Sequence, residues 1–214
     1  MVSKKKLLQG CRLYLILDAS VCNYDRLFGI LKSAVLSGVD IVQLRDKVGS
    51  AKDIGWFCQK ALSLLKGRIP FIVNDRVDIA LLSGACGVHL GQDDISPVAA
   101  RRILGPRAII GVSCQNMAHL RRAYREGADY VGFGSVFQTL TKPGREPMPP
   151  GLLVKSAFYA DQKKLPLFAI GGITRDNLAE VKSRGVRRVA VCRDILLAED
   201  IRRTVGGFCA ALKA

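Results

Sequence analysis

The chain alternates short, continuously apolar runs with longer segments that carry apolar residues at helical spacing. The apolar runs predict eight strands, at residues 12–18, 40–46, 70–74, 87–90, 108–113, 130–134, 167–172 and 188–192. Their near-continuous hydrophobicity is typical of parallel strands that are buried on both faces. The amphipathic segments between them predict helices, for example at 27–38, 53–67, 120–127 and 177–185. Several of these segments end at a glycine, which is the residue that most easily enters the left-handed region after a helix.

Eight strand–helix units within 214 residues predict a single-domain (βα)8 TIM barrel. An open doubly wound sheet is the alternative, but Asp18 is followed by Ala-Ser-Val-Cys rather than by the glycine fingerprint of that fold. No linker or change of composition divides the chain, so we expect one domain over residues 1–214. Residues 1–10 contain three consecutive lysines, and we expect a basic tail there.

Composition narrows the class of protein. Apolar residues make up 49% of the chain, which provides a large core and disfavours disorder. The basic start followed by an apolar stretch faintly resembles a signal peptide, but Asp18 interrupts the stretch and no clear cleavage site follows. The seven cysteines are scattered without CxxC spacing, which favours free thiols over disulfides or a zinc site. We therefore expect a cytoplasmic protein.

The net charge of +15 allows nucleic acid, an anionic membrane or acidic substrates as partners. Much of this charge lies in dispersed arginine pairs on predicted helices or loops. These pairs lack interleaved aromatic residues and match no nucleic-acid-binding motif. We interpret most of them as a solvated basic surface.

Polar residues gather where the predicted strands end, which is where a barrel carries its functional loops. They are Gln43, Arg45 and Lys47 after the second strand, Asn74 and Asp75 after the third, Asp94 after the fourth, Ser113 at the fifth, and Gly171 and Gly172 at the seventh. The sixth strand leads into the loop GFGSVFQTLTKPGR, which is rich in hydroxyl and cationic side chains. Together these residues predict a single site at one end of the barrel.

The cations of this set indicate an anionic ligand. Gln43, Arg45 and Lys47 share one phase of the strand, so their side chains point to the same side. A buried arginine needs an anionic partner, and an ion pair with a barrel carboxylate would also supply one. Because Lys142 and Arg145 need partners at the same end, a diphosphate accounts for more of the cations than a single carboxylate does.

Two carboxylates lie at neighbouring strand ends, and two glycines follow the seventh strand. Asp75 and Asp94 suggest Mg²⁺, which binds one or two carboxylates together with substrate phosphate oxygens. Capping of the helix that follows each aspartate is the alternative. Gly171 and Gly172 allow backbone N–H groups to approach a phosphate, although a tight turn would use the same pair.

These motifs resemble the thiamine-phosphate synthase (thiamine-phosphate pyrophosphorylase) family from about Leu13 to Asp200. The shared motifs are QLRDK (43–47), NDR (74–76), GVHLGQDD (87–94), GVS (111–113), GADYVGFGSVFQTLTK (127–142) and AIGGIT (169–174). The resemblance implies a Mg²⁺-dependent transferase with two anionic small-molecule substrates. It would join an aminopyrimidine methyl diphosphate to a thiazole phosphate, forming thiamine phosphate and releasing pyrophosphate. The resemblance allows self-association, but it fixes no number of subunits.

The resemblance also implies a role for each matched residue. The pyrimidine diphosphate site would contain Gln43, Arg45, Lys47, Asn74, Ser113 and Lys142, of which Arg45, Lys47, Ser113 and Lys142 would act in catalysis. Asp75 and Asp94 would bind Mg²⁺. The thiazole phosphate site would contain Thr139, Thr141, Gly172, Cys192 and Arg193. Two positions depart from the family pattern, because Gln138 stands where proline is common and Arg193 where a small residue is usual.

Two other functions compete with this interpretation. The related thiazole tautomerases share the barrel but have a histidine as acid/base at the position of Ser135, which cannot transfer protons comparably near neutral pH. A phosphate-ligand sensor or RNA-binding barrel is the second alternative, suggested by the positive charge. His89, at the end of the fourth strand, is expected to line the pyrimidine pocket. Residues 144–151 are expected to form a mobile flap.

Overall fold

The structure is a computed structural model that describes residues 4–139, 144 and 146–213. Along the chain its elements are α1 (Lys4–Gly10), β1 (Leu13–Asp18), α2 (Tyr24–Leu36), β2 (Ile41–Arg45), α3 (Ala51–Leu65), β3 (Phe71–Asn74), α4 (Val77–Ser83), β4 (Gly87–Leu90), α5 (Pro97–Leu104), β5 (Ile109–Cys114), α6 (Met117–Arg125), β6 (Tyr130–Phe133), α7 (Pro150–Gln162), β7 (Leu167–Ile170), α8 (Leu178–Ser183), β8 (Val189–Val191), α9 (Arg193–Leu196) and α10 (Ile201–Lys213).

The strands β1 to β8 form a closed parallel barrel in sequence order. Closure occurs between the first and last strands, where Leu13 pairs with Val189 and Leu15 with Val191. The predicted (βα)8 barrel is therefore confirmed, and the open doubly wound sheet is excluded. Gly127 and Gly185, which follow α6 and α8, have φ angles of 75° and 81°. Both lie in the left-handed region, as predicted for glycines that end helices.

Strand alternation divides the core into two layers. Leu13, Leu15 and Leu17 of β1 point outward into the main cluster, which the strands share with the surrounding helices. Tyr14 and Ile16 point inward and join a second cluster inside the barrel. Because both faces of each strand are covered, the strands read as continuous apolar runs in the sequence.

The amino-terminal segment differs from the expected basic tail. Residues Lys4–Gly10 form the short helix α1, and Leu8 is fully buried within the cluster inside the barrel. The guanidinium of Arg188 donates a hydrogen bond to the carbonyl of Gln9 at 3.0 Å, which attaches the end of α1 to the start of β8. The three lysines led to the prediction of a tail, whereas the burial of Leu8 attaches the segment to the core.

All seven cysteines lie within the described ranges and carry free thiols, as expected. Burial raises the pKa of Cys58 to about 11 and that of Cys114 to about 12. Both thiols therefore stay protonated near neutral pH and behave as small apolar side chains. In the part of the chain that the structure describes, no helix has both the length and the apolar character needed to cross a bilayer.

Candidate active site

A cavity of about 300 Å³ opens at the carboxyl ends of the strands. It brings together eight of the residues that the sequence analysis selected: Gln43, Arg45, Asn74, Ser113, Thr139, Gly172, Cys192 and Arg193. His89 also lines it, as expected. Lys47, Asp75 and Asp94 lie on the loops after β2, β3 and β4 and form a separate group, described below. Thr141 and Lys142 lie outside the described residues.

The inner wall of the cavity is apolar and aromatic. Tyr14, Ile16, Phe168 and Ile170 line it from β1 and β7. The Tyr14 and Phe168 rings pack edge to face with centroids 5.3 Å apart, and Tyr130 packs on Phe168 at 5.7 Å. Such a surface accepts the faces of a planar ring, while the polar residues nearer the opening can fix its orientation.

A chain of hydrogen bonds crosses the barrel beneath the cavity. The amide Nε2 of Gln43 donates to Tyr14 Oη at 2.7 Å, and Tyr14 Oη lies 2.7 Å from Tyr130 Oη. Tyr130 Oη lies 3.0 Å from His89 Nδ1, and His89 Nε2 lies 2.9 Å from Ser113 Oγ. Burial raises the pKa of both Tyr14 and Tyr130, so both phenols remain protonated and available as donors.

Arg45 has a carboxylate partner that the sequence analysis did not identify. Its Nη1 lies 2.7 Å from Asp18 Oδ2, and Asp18 is fully buried at the end of β1. The other Asp18 oxygen accepts hydrogen bonds from the backbone N–H and the hydroxyl of Ser20, at 2.9 and 2.7 Å. The ion pair considered as an alternative is therefore present. Arg45 also lines the cavity, so this ion pair holds its guanidinium at the cavity wall.

Lys47, Asp75 and Asp94 form a compact charged group. The Lys47 ammonium is paired with the Asp75 carboxylate. Burial raises the pKa of Asp75; Lys47 opposes this rise, whereas a hydrogen bond and charge repulsion from Asp94 add to it. The two carboxyl groups are thus in contact and unfavourable when both are ionised, so a cation near them is stabilising.

Neither carboxylate caps a helix. Helix α4 begins at Val77 and has no side-chain cap, whereas α5 is capped by Ser96, which accepts from the N–H of Ala99. Asp94 instead accepts a hydrogen bond from the N–H of Gly91 at 2.6 Å, within its own loop. The capping alternative for Asp75 and Asp94 is therefore wrong.

The loops after β6 and β7 pack tightly along one side of the cavity. The N–H groups of Val136 and Phe137 donate to the carbonyls of Ile170 and Gly171, both at 3.0 Å. Gly172 has φ of 62°, and a Cβ atom there would lie 2.3 Å from the carbonyl oxygen of Gln138. Only glycine fits this position, because any side chain would displace the neighbouring loop.

The segment expected to be a flap is partly anchored. Pro150 and Gly151 belong to α7, and Met148 is buried. The backbone N–H of Met148 donates to the carbonyl of Ser135 at 2.9 Å. The carboxyl-terminal half of the 144–151 segment is therefore attached to the loop after β6.

Four functional candidates escaped the sequence analysis. They are Asp18, Tyr14, Tyr130 and Asp194, of which Asp18 and Tyr130 support the site and Tyr14 and Asp194 line the cavity. A signal existed for Asp18, since a carboxylate ending a continuously apolar strand needs a buried partner. Tyr14 and Tyr130 look like ordinary core residues in the sequence, and only the closed barrel brings their hydroxyl groups together.

Comparison with known proteins identifies the family of the chain. A model of the thiamine monophosphate synthase family matches residues 13–195. Thiamine-phosphate synthase of Prochlorococcus marinus (strain MIT 9313) is 42% identical over 206 residues, which cover 92% of this chain and 56% of the relative. That of Thermosynechococcus vestitus is 43% identical over 204 residues, covering 92% of this chain and 54% of the relative. The chain thus spans about half the length of these curated relatives.

A solved structure extends the comparison to the fold as a whole. Thiamine phosphate pyrophosphorylase from Pyrococcus furiosus is 31% identical to this chain and has a TM-score of 0.85. The match covers 97% of this chain and 98% of that protein. With the family model covering most of the sequence, the chain belongs to the thiamine monophosphate synthase family.

Proposed function

We propose that this chain is a Mg²⁺-dependent thiamine-phosphate synthase. It would condense 4-amino-2-methyl-5-(diphosphooxymethyl)pyrimidine with thiazole phosphate, forming thiamine phosphate and releasing pyrophosphate. The observation that carries the proposal is an aromatic cavity lined by Arg45, with the Lys47–Asp75–Asp94 group on loops at the same end of the barrel. An apolar pocket with cations at its opening suits a planar ring that carries a diphosphate.

The reaction exchanges one bond for another at the pyrimidine methylene carbon. The bond from this carbon to the diphosphate oxygen breaks, and pyrophosphate leaves with the electron pair. The thiazole nitrogen then donates its lone pair to the carbon and becomes a thiazolium. Negative charge grows on the departing oxygens and positive charge on the methylene, so the protein needs to stabilise charge rather than supply a nucleophile.

Arg45 and Lys47 are suited to the departing pyrophosphate. The salt bridge from Asp18 holds only Nη1 of Arg45, so other guanidinium N–H groups can donate to phosphate oxygens. Lys47 is half exposed and can turn from Asp75 towards a more highly charged anion. We infer from the family resemblance that Lys142 adds a third cation to this set.

Asp75 and Asp94 fit a divalent cation. The Asp94 carboxylate raises the cost of ionising Asp75, and a cation shared by the two removes that cost. Among the described residues, no group of three or more His, Cys, Asp or Glu side chains could hold a metal. The remaining ligands would therefore be substrate oxygens or water, as is usual for Mg²⁺. When bound, the ion would neutralise charge on the leaving pyrophosphate.

The opposite side of the cavity suits the thiazole phosphate. The backbone at Gly172 lies open to the cavity, and Thr139, Cys192 and Arg193 line the same side. Arg193 replaces the small residue usual in the family, and we propose that its guanidinium adds a charged contact to the phosphate.

The two competing functions have less support. Ser135 lines the cavity, but its hydroxyl donates to the carbonyl of Phe137 at 2.6 Å and is therefore already engaged. That arrangement leaves no acid/base group at the position the tautomerases use. Positive charge suggested RNA binding, and the dispersed arginine pairs that carry it include Arg101-Arg102 and Arg121-Arg122. One arginine of each of these pairs has a structural contact: Arg101 pairs with Asp129 at 2.7 Å, and Arg122 donates to Gln92.

The test is pyrophosphate release from the purified protein, with each substrate alone and with both, in the presence and absence of Mg²⁺. We expect release only when both substrates and the ion are present. Asp94→Asn should abolish it, whereas Asp93→Asn serves as the matched control because Asp93 is exposed on the same loop. Binding of thiazole phosphate without pyrophosphate release under any condition would contradict the proposal and favour the tautomerase or the sensor.

A further inference from the structure

The hydrogen-bonded chain from Gln43 to Ser113 has a defined starting direction. The Nε2 group of Gln43 can only donate, so Tyr14 Oη accepts at that end. Tyr14 Oη meets one other polar atom among the described residues, the hydroxyl of Tyr130 at 2.7 Å. Because Tyr14 is buried, its own proton finds an acceptor among the described residues only at Tyr130.

This start determines every later bond. Tyr130 accepts from Tyr14 and so gives its proton to His89 Nδ1, which must then be the unprotonated nitrogen. His89 Nε2 carries the proton and donates to Ser113 Oγ. In the opposite direction Ser113 would donate to His89, His89 to Tyr130 and Tyr130 to Tyr14, and the buried Tyr14 proton would have no acceptor among the described residues. A buried donor without an acceptor costs more than a hydrogen bond contributes, so the first direction is favoured.

Tyr130 is held in place by packing that does not depend on its hydroxyl. A Cβ atom on Gly111 would lie 2.0 Å from Tyr130 Cζ, so the ring lies directly against the glycine backbone of β5. The ring also packs edge to face against Tyr14 and Phe168, with centroids 5.7 Å from each. The hydroxyl group is therefore presented to His89 from a fixed position.

We propose that Tyr130 is a positioning residue that fixes His89 as the Nε2–H tautomer, which makes Ser113 accept from His89 and turn its own hydroxyl proton into the cavity. The proposal rests on the proposed function, since Ser113 lines the cavity in which the pyrimidine substrate would bind. Ser113 then presents a donor to an acceptor atom of that substrate. Without Tyr130 Oη both tautomers of His89 become accessible. In the tautomer with an unprotonated Nε2, Ser113 donates its hydroxyl proton to His89 instead of towards the cavity.

The first test reads the tautomer directly and needs no activity. Protein labelled with ¹⁵N-histidine contains two imidazoles, His89 and His119, and His119→Gln assigns the signals. We expect the His89 nitrogens of the parent protein to report Nε2–H, and those of Tyr130→Phe to shift towards a mixture. Tyr24→Phe is the matched control, because Tyr24 also donates from a partly buried hydroxyl, at 2.6 Å to Asp46, but forms none of the hydrogen bonds from Gln43 to Ser113. An Nδ1–H signal in the parent, or an unchanged signal in Tyr130→Phe, overturns the proposal.

The second test measures the kinetic consequence. Loss of one oriented hydrogen bond to substrate lowers kcat/KM for the pyrimidine diphosphate by about tenfold. We expect the full loss in Ser113→Ala and a smaller loss in Tyr130→Phe, because only one of the two His89 tautomers takes up the Ser113 proton. The double variant should lose no more than Ser113→Ala alone, because both residues act through one hydrogen bond. The KM for thiazole phosphate should stay within about twofold. Independent, multiplying losses in the double variant would show that Tyr130 acts on stability or packing instead, and would overturn the proposal.

The two tests separate this inference from the proposed function. A parent protein that releases no pyrophosphate contradicts the synthase assignment, yet the His89 tautomer still decides whether Tyr130 controls the imidazole. Normal pyrophosphate release with an unchanged tautomer in Tyr130→Phe rejects only the role of Tyr130.

Discussion

Removal of the Asp18 carboxylate is expected to destabilise the barrel substantially. Asp18→Ala leaves the Arg45 guanidinium without its buried partner, and it also removes the acceptor for the N–H and hydroxyl of Ser20. The side chains of Asp18 and Arg45 are 1% and 15% exposed, so little water is available to replace the lost contact. Breaking a buried pair from one side costs about 3–5 kcal/mol.

The residual exposure of Arg45 favours the lower end of this range, about 3 kcal/mol. For a chain of this size, that loss corresponds to a decrease in Tm of roughly 6–12 °C. Asp78→Ala is the matched control, because Asp78 forms a salt bridge with Arg76 at 2.6 Å but the two side chains are 57% and 39% exposed. An exposed pair contributes about 0–1 kcal/mol, so this variant should unfold close to the parent.

Urea unfolding followed by circular dichroism measures both variants against the parent protein. Arg45→Met in the Asp18→Ala background removes the orphaned charge and should recover part of the lost stability. If Asp18→Ala and Asp78→Ala shift the midpoint equally, or if Arg45→Met restores nothing, then the cost does not come from an unpaired buried charge. The reasoning from burial would be refuted.

Three further predictions follow from individual positions. The raised pKa of Asp75 means that its protonated form favours folding; this contribution is lost as pH rises from the ordinary value of 3.8 through the folded-state pKa. Metal-free Asp75→Asn should therefore lose less stability than the parent over that interval, as measured by urea titrations at each pH. Gly172→Ala should raise the KM for thiazole phosphate in steady-state kinetics, because its Cβ would displace the neighbouring loop. Gly55→Ala in α3 is the control, since a Cβ there meets nothing within 4 Å, and it should raise the free energy of unfolding by about 0.5–1 kcal/mol. Leu8→Ala should cost about 2–5 kcal/mol in urea unfolding, and a loss below about 0.5 kcal/mol would show that α1 is a dispensable tail.

Prediction from sequence succeeded where a local pattern has a single structural meaning. The eight apolar runs correspond to the eight strands of the barrel. The position of polar residues at strand ends was enough to predict that Gln43, Asn74 and Ser113 lie in one cavity. It failed for α1, because the apolar content of a ten-residue segment with three lysines does not reveal that Leu8 is buried.

The sequence by itself determined the order of the strands, the barrel and the end at which the candidate site lies, because strand alternation and the parallel connection leave few other arrangements. Only the tertiary structure decided which charged and polar side chains pair with each other. Asp18 and Arg45 are 27 residues apart, and Tyr14 and Tyr130 are 116 apart, so no local pattern links them. Their contact arises when β1 pairs with β2 and when the barrel closes around its interior, where burial favours a hydrogen bond or ion pair between these side chains.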